Sequence, residues 1–208
     1  MSDKQKGYFI TFEGADGSGK TTQISKLSNY LTNNNTKNIQ TRDPGGTELG
    51  SSLRQILLHY PNYISPNCEL FLYLADRSQH VDEKILPALK EGNIVLCDRF
   101  IDSSLAYQGY GRGIDLNQII ELNKIATRGL IPDLTILLDI DTDTAANRIA
   151  REKDRFESEA QEFHKKVRQG YLEVAKSDPS RFVIINANQS IEDIFTQLIS
   201  VLKEKQVI

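Results

Sequence analysis

Hydrophobic and polar residues follow a repeated strand–helix pattern along the chain. Short segments rich in β-branched and aromatic residues are strand candidates, at 8–13, 39–42, 94–98, 134–139 and 182–186. Longer segments with apolar residues three or four positions apart predict helices, at 19–32, 46–58, 67–91, 115–128, 143–151, 158–176 and 190–204. Such alternation predicts an α/β fold in three layers, with a five-stranded parallel sheet flanked by helices.

Four of these segments carry further local signals. The strand candidates 94–98 and 134–139 are almost continuously apolar, which is typical of strands buried on both faces. Pro87 falls inside the long helix candidate 67–91 and is expected to kink or interrupt it, because proline has no N–H to donate. Ser158 and Gln161 have the spacing of a capping box, which predicts a helix start at 158.

The first strand leads into a complete G-x-x-x-x-G-K-[ST] motif at residues 14–21. The motif lies between a strand candidate and a helix candidate, which is the context that a phosphate-binding P-loop requires. Its glycines allow backbone N–H groups to surround phosphate oxygens, and the N-terminus of the following helix adds further donors. Lys20 is expected to reach the β- and γ-phosphates, and the Thr21 hydroxyl to bind Mg²⁺. A glycine-rich turn without a ligand is the alternative.

Composition limits the remaining possibilities. A chain of 208 residues with 39% apolar and 25% charged residues suits one globular domain, so we expect 1–208 to be a single domain. The net charge of −3 argues against a general nucleic-acid binder. Cys68 and Cys97 are expected to be free thiols. We find no signal peptide and no apolar run that would span a membrane, so we expect no membrane partner and a cytoplasmic location.

Polar residues follow each predicted strand, at the sheet edge where α/β proteins bind ligands. Asp98 ends an apolar strand and is the natural second carboxylate for Mg²⁺ beside a P-loop; capping of the next helix is the alternative. Arg99 follows immediately, and Arg54 and Arg77 lie on helices that could face the same cleft. Each arginine alone could be a solvated surface residue, but together they predict a second anion site. A kinase with a phosphorylated acceptor needs such a site.

Several segments together resemble the thymidylate kinase family, from about residue 7 to about residue 200. They are Phe12–Thr22 with the P-loop, the Arg42–Thr47 sequence RDPGGT, the Asp98–Gly109 sequence DRFIDSSLAYQG, Pro132–Thr135 and Asp154–Glu157. The resemblance implies a P-loop NTPase fold and an enzyme that phosphorylates dTMP to dTDP with ATP and Mg²⁺. It also implies a homodimer.

The resemblance assigns roles to particular positions. ATP would be bound by the P-loop and by one later arginine, that is by Gly14, Ala15, Asp16, Gly17, Ser18, Gly19, Lys20, Thr21, Thr22 and Arg148. Thr21 and Asp98 would hold the metal. The dTMP phosphate would be held by Arg77 and Arg99 with Arg54 beside them, and Tyr73 would stack on the base.

The other expected acceptor contacts come from two short segments and two acidic residues. Ser104 and Gln108 would meet the polar edge of the base, and Tyr107 would crowd the sugar 2′ position. Glu13 and Asp43 would lie near the acceptor sugar and phosphates. Alternatives remain from the residues themselves: Tyr73 as a core side chain, Ser104 and Gln108 in local hydrogen bonds, and Tyr107 as a packed ring.

The segment 148–157 resembles the family's lid, which closes over ATP. In the family, the extra catalytic arginine lies either in the P-loop or in the lid. Because P-loop positions 15–18 here contain no arginine, the resemblance implies that the lid supplies this cation, from Arg151 or Arg155, alongside Lys20 and Arg99. A solvated charged turn is the alternative. At the level of function, the alternatives are a kinase of another nucleotide or nucleoside and a nucleotide switch without a transfer activity.

Overall fold

A computed structural model describes residues 7–148 and 154–208. Within them, five strands form one sheet: β1 (Tyr8–Glu13), β2 (Asn38–Arg42), β3 (Ile94–Asp98), β4 (Leu134–Asp139) and β5 (Phe182–Asn186). The order across the sheet is β2-β3-β1-β4-β5, and every neighbouring pair is parallel. The predicted strands are confirmed, and β2 begins one residue earlier than predicted.

Helices connect the strands. The described residues form α1 (Lys20–Asn33), α2 (Glu48–His59), α3 (Pro66–His80), α4 (Leu86–Lys90), α5 (Ile101–Ser104), α6 (Leu116–Ala126), α7 (Thr142–Arg148), α8 (Gln161–Ser177) and α9 (Ile191–Glu204). Two π-helical segments, Val81–Ile85 and Leu105–Gly111, directly follow α3 and α5. None of the helices in this part of the chain is long and apolar enough to cross a membrane.

Two expectations about helices need correction. Pro87 does not interrupt its helix: α3, Val81–Ile85 and α4 follow one another without a break, and the wider π-helical turn comes just before the proline. Ser158 does not begin α8, because Asp154 accepts hydrogen bonds from the Phe156 and Glu157 N–H groups and forms a separate turn. The helix begins at Gln161 instead, and its N-cap, Ala160, provides no side-chain cap.

One observed helical segment was not predicted, and one predicted helix ends at residues outside those that the structure describes. Residues 101–111 form a helical segment that contains Gly109 and Gly111, which lower its helix propensity in the sequence. The last three positions of the predicted helix 143–151 lie outside the described residues.

Alternate residues of the central strands pack on opposite faces of the sheet. Side chains such as Ile10, Phe12 and Leu96 join α1 and α9 in one apolar cluster. Their neighbours Phe9, Val95 and Cys97 pack on the other side, against Val81–Ile85 and Phe100. Burial on both faces confirms the predicted three layers.

The register brings the carboxyl ends of three strands to one edge. Phe12 of β1 and Arg42 of β2 both pair with Asp98 of β3. The chain continues this pairing past the strand ends, where the Arg99 N–H donates to the Phe12 carbonyl at 2.9 Å and the Asp43 N–H to the Asp98 carbonyl at 2.9 Å. Polar residues that are far apart in the sequence therefore meet at this edge.

Candidate active site

The loop between β1 and α1 has the backbone of a phosphate-binding loop. Gly14, Gly17 and Gly19 have φ angles of 133°, 80° and 94°, a region that favours glycine. The N-cap of α1 is Gly19, which has no side chain to cap the helix, so among the described residues the first N–H groups of α1 remain available for an anion. Lys20 folds back over the loop and donates from Nζ to the Gly14 and Ala15 carbonyls at 3.1 and 3.0 Å. Burial lowers its pKa, as does the nearby Arg99 charge.

The predicted metal pair lies beside this loop. Thr21 Oγ1 donates to Asp98 Oδ2 at 3.0 Å. The other carboxylate oxygen, Asp98 Oδ1, is buried and has no hydrogen-bond partner among the described residues. A hydroxyl oxygen and a carboxylate oxygen are ligands that Mg²⁺ prefers, and a buried oxygen without a donor favours a cation nearby. These two residues therefore fit a magnesium ion.

Arg99 leaves β3 with a left-handed backbone, at φ 69°, and its guanidinium spans the space between the P-loop and α8. Nη1 donates to the Gly14 carbonyl at 2.9 Å and to the Tyr171 hydroxyl at 2.8 Å. Nη2 donates to Asp16 Oδ1 at 2.8 Å and to the Tyr107 hydroxyl at 3.2 Å. Burial opposes its charge, but the surrounding polar groups raise the pKa of Arg99 well above its usual value.

Two cavities meet at this arginine. The larger, about 1270 Å³, runs from the P-loop past Thr21 and Asp98 to Arg148 on one side and Gln189–Ile191 on the other. The smaller, about 60 Å³, is lined by aromatic and polar side chains. Both are lined by Asp16, Asp43, Arg54 and Arg99. Two ligands bound in these cavities would face each other across two carboxylates and two guanidinium groups.

Aromatic rings surround the smaller cavity. Phe156 packs at 6.1 Å from the Tyr73 ring and at 5.8 Å from the Tyr107 ring. Ser104 and Gln108 contribute polar groups to the same wall. A volume of 60 Å³ holds about two water molecules, so the cavity must widen to admit a nucleotide base.

Comparison with known proteins agrees with this arrangement. The sequence model of the family described as thymidylate kinase matches residues 12–198. The chain belongs to the thymidylate kinase family. It is 49% identical over 200 residues to the thymidylate kinase of Thermoanaerobacter sp. (strain X514), covering 96% of this chain and 98% of that one. The thymidylate kinase of Clostridium novyi is 45% identical over 203 residues, at 95% and 99% coverage.

A solved structure extends the likeness to the fold. The crystal structure of thymidylate kinase from Ehrlichia chaffeensis is 39% identical and superposes with a TM-score of 0.78, over 94% of this chain and 98% of that one. Membership of the thymidylate kinase family confirms the predicted P-loop α/β fold, the predicted kinase activity and the phosphorylation of dTMP to dTDP.

The three arginines expected at the acceptor phosphate do not lie in equivalent places. Arg54 lines both cavities, and burial together with the Arg42 charge lowers its pKa, so an anion beside it would be favourable. Arg77 lines only the smaller cavity and is fully buried. Its Nε and Nη2 donate to the two oxygens of Asp43 at 2.9 Å each, and its Nη1 donates to Ser104 at 2.8 Å and to Asn123. Most of its donors are therefore used within the protein.

The residues expected at the base and sugar line the smaller cavity, but each also makes an internal contact. Ser104 accepts from Arg77, and Gln108 Nε2 donates to Glu69 at 2.8 Å. The Tyr107 hydroxyl is shared with Arg99 and Asp16, and burial raises the pKa of Tyr107. Burial also raises the pKa of Tyr73. Ser104 and Gln108 therefore make the local hydrogen bonds that were considered as alternatives, and they also line the cavity as predicted.

Glu13 lies behind the site rather than in it. Its carboxylate is fully buried, lines neither cavity, and accepts from the Phe100 N–H, from Ser103 and from Tyr171. Burial, then the Asp102 charge, raises the pKa of Glu13 to about 7. Glu13 thus lies outside the lining of both cavities, and its expected place near the acceptor sugar and phosphates stays a prediction.

The three arginines of the predicted lid differ in what the structure shows of them. Arg155 Nη1 pairs with Glu69 at 2.8 Å and its Nε donates to the Leu57 carbonyl at 2.9 Å, so its guanidinium lines neither cavity. Arg151 lies outside the described residues. Arg148 lines the larger cavity, where its Nη1 is 3.5 Å from the Gly17 carbonyl.

Sequence reasoning missed several side chains that shape the site. Phe156, Glu69 and Tyr171 looked like parts of helical faces or turns, because nothing in the local pattern shows which distant residue each will contact. Asp16 was expected to bind ATP with the rest of the P-loop, but its pairing with Arg99 at 2.8 Å and its place in the lining of both cavities were not foreseen. Its position between two glycines of the P-loop was the available signal, since a charged side chain there must project from the loop.

Proposed function

We propose that this member of the thymidylate kinase family transfers the γ-phosphoryl group of ATP, with Mg²⁺, to the phosphate of dTMP. The observation that carries the proposal is the junction of two cavities, one lined by the P-loop and one lined by Tyr73, Ser104 and Gln108, at Arg54 and Arg99. The bond between the γ-phosphorus and the bridging oxygen of ATP breaks, and a bond to a dTMP phosphate oxygen forms. ADP and dTDP leave.

ATP binds in the larger cavity. The backbone N–H groups of residues 14–22 surround its β- and γ-phosphates, and Lys20 moves from the loop carbonyls to a phosphate oxygen. Arg148, Gln189 and Ser190 also line this cavity and suit the adenine end. Thr21 and Asp98 hold Mg²⁺, which supplies charge neutralisation for the phosphates when bound.

The acceptor enters the smaller cavity. Arg54 and Arg99 hold its phosphate at the junction, Tyr73 provides an aromatic face for the base, and Ser104 and Gln108 meet its polar edge. Arg77 acts from behind by fixing Asp43 and Ser104. Two polyanions repel each other at bonding distance, so the cations at the junction lower the barrier by offsetting that charge.

A panel of acceptors tests the reaction. In a coupled ADP-release assay with ATP and Mg²⁺, we expect dTMP to be phosphorylated far faster than dUMP, dCMP or thymidine. Thymidine provides the sharpest comparison, because it keeps the base and sugar but lacks the anion that Arg54 and Arg99 would bind. ATP turnover that is the same with and without an acceptor would contradict a kinase function. Lys20→Ala, which removes the P-loop cation, is expected to abolish dTDP formation.

We also propose that 1–208 is a single kinase domain with a lid over 148–157. Because Arg155 is occupied by Glu69 and Leu57, Arg151 is the preferred lid cation at the γ-phosphoryl group. Arg151→Ala is expected to lower kcat by tenfold or more while leaving dTMP affinity within about twofold. A loss of affinity with unchanged kcat would contradict a role at the transferred group.

The assembly and location also follow as proposals. Exposed apolar side chains lie on three neighbouring helices, with Ile56 on α2, Phe71 on α3 and Ile120 on α6. Such a surface suits the interface of a homodimer. The substrates are small nucleotides, which fits a cytoplasmic enzyme of dTTP synthesis.

A further inference from the structure

A buried polar chain lies directly behind Arg99. The Glu13 carboxylate, at the end of β1, accepts from Ser103 Oγ at 2.6 Å and from the Tyr171 hydroxyl at 3.0 Å, both on Oε2. Its Oε1 accepts from the Phe100 N–H at 2.8 Å. β1, β3 with its continuation, α5 and α8 thus converge on one carboxylate.

The Tyr171 hydroxyl connects this carboxylate to the arginine. Its single proton is donated to Glu13, so its oxygen lone pairs are free to accept from Arg99 Nη1 at 2.8 Å. The chain of donors therefore runs from Arg99 through Tyr171 to Glu13. Ser103 Oγ is also 3.4 Å from Arg99 Nη1 and 2.8 Å from the Tyr171 hydroxyl, so its single proton can serve either Glu13 or Tyr171.

The two terminal nitrogens of the Arg99 guanidinium have different neighbours. Nη1 is held by the Gly14 carbonyl and by Tyr171, which line neither cavity. Nη2 faces Asp16 and the Tyr107 hydroxyl, at the junction where the two substrates meet. A free arginine side chain loses considerable rotamer entropy when it is fixed, and contacts on the scaffold side supply that restraint before substrate arrives.

We propose that Tyr171, together with Glu13, is a positioning residue that holds Arg99 with its Nη2 edge toward the transferred phosphoryl group. The inference deepens the proposed kinase function and rests on it. Packing alone does not explain the hydroxyl: the Tyr171 ring already packs at 6.2 Å from the Tyr107 ring within an apolar cluster, where phenylalanine would satisfy the same contacts.

Tyr171→Phe separates the two roles, because it removes the hydroxyl and keeps the ring. We expect dTMP kcat/KM to fall about tenfold or more, since a hydrogen bond to a charged group is lost, while the KM for ATP stays within about twofold. Tyr30→Phe, on the opposite face of the sheet beside Phe195, is the matched control and should remain at the wild-type rate. Equal rates for Tyr171→Phe and the control would overturn the proposal.

A double-mutant cycle with Arg99→Ala distinguishes positioning from general damage. If Tyr171 acts through Arg99, adding Tyr171→Phe to Arg99→Ala should change dTMP kcat/KM by less than about twofold. Effects that simply add would show that Tyr171 acts elsewhere and would overturn the inference. Glu13→Gln should repeat the pattern of Tyr171→Phe.

A structural readout keeps this test separate from the kinase assignment. NMR of the Arg99 guanidinium should show restricted rotation in the wild type and faster rotation in Tyr171→Phe, with no substrate present. If wild-type protein failed to phosphorylate dTMP but this difference appeared, the proposed function would fall and the restraint of Arg99 would stand. Unchanged rotation would refute the restraint whatever the activity.

Discussion

At the scale of single residues, the loop after β2 is held in place by Asp76, a buried carboxyl group close to a second one, Asp43. Asp76 Oδ1 accepts from the Gly45 N–H at 2.9 Å, while its Oδ2 is buried without a partner among the described residues. Burial, then the nearby Asp43 charge, raises the pKa of Asp76 to about 7. His80, which contacts Thr41 at 2.6 Å, has its pKa lowered by burial to about 4.

Asp76 should make stability depend on pH. Its folded pKa lies above the ordinary value of 3.8, so its contribution to folding is complete below that value and is lost as the pH rises to about 7. Asp76→Asn removes this loss and keeps the oxygen that accepts from Gly45. We expect the melting temperature of the variant, relative to wild type, to increase between about pH 5 and pH 8 and then level off.

Comparing the two proteins cancels the opposite slope from His80, which favours folding as the pH rises through its own range. Asp82→Asn, at a surface ion pair with Arg128, is the control and should give a constant difference. A constant difference for Asp76→Asn as well would contradict the effect of burial on this carboxyl.

The sequence predicted the position of a side chain where a backbone motif determines it. It did not predict the orientation of a side chain that depends on a contact with a distant residue. The P-loop and the Thr21–Asp98 pair were predicted because local spacing and strand ends determine them. The orientations of Arg77 and Arg155 depend on Asp43 and Glu69, which lie 34 and 86 positions away from them. No local pattern contains that information.

At the scale of elements, α6 provides a helix whose start depends on one exposed side chain far from the cavities. Asp115 Oδ1 accepts from the Gln118 N–H at 3.0 Å. Asp115→Ala should lower the free energy of unfolding by about 0.5–2 kcal/mol, measured by urea denaturation, because an N-terminal donor loses its cap. Asp115→Asn should stay close to wild type. If the two variants lost equal stability, charge rather than capping would be responsible.

Periodicity predicted the long elements better than their ends. The strands and the amphipathic helices were identified because a buried face repeats along each of them. The helical segment 101–111 was missed because its buried face includes the polar residues Asp102, Ser103, Ser104 and Gln108, and the last three of these line the smaller cavity. A helix with polar residues on its buried face lacks the apolar periodicity by which helices are predicted.

At the scale of the whole molecule, the apolar surface on α2, α3 and α6 should mediate assembly. Light scattering is expected to show twice the mass of one chain for wild type and a monomer for Phe71→Glu, because a charge would be buried in the interface. Ile184→Glu changes an equally apolar, exposed position on β5 and should remain dimeric. A wild-type monomer at micromolar concentration would exclude this interface.

The central position of β1 in the sheet affects how the protein is made. β1 pairs with β3 and β4 and with no strand nearer in the sequence, and β3 begins about 80 residues after β1 ends. At about 5–20 residues per second, β1 leaves the ribosome roughly 4–16 seconds before its first partner. β1 is therefore synthesised well before the strands with which it pairs. Nucleotide binding cannot assist folding until most of the chain has been translated.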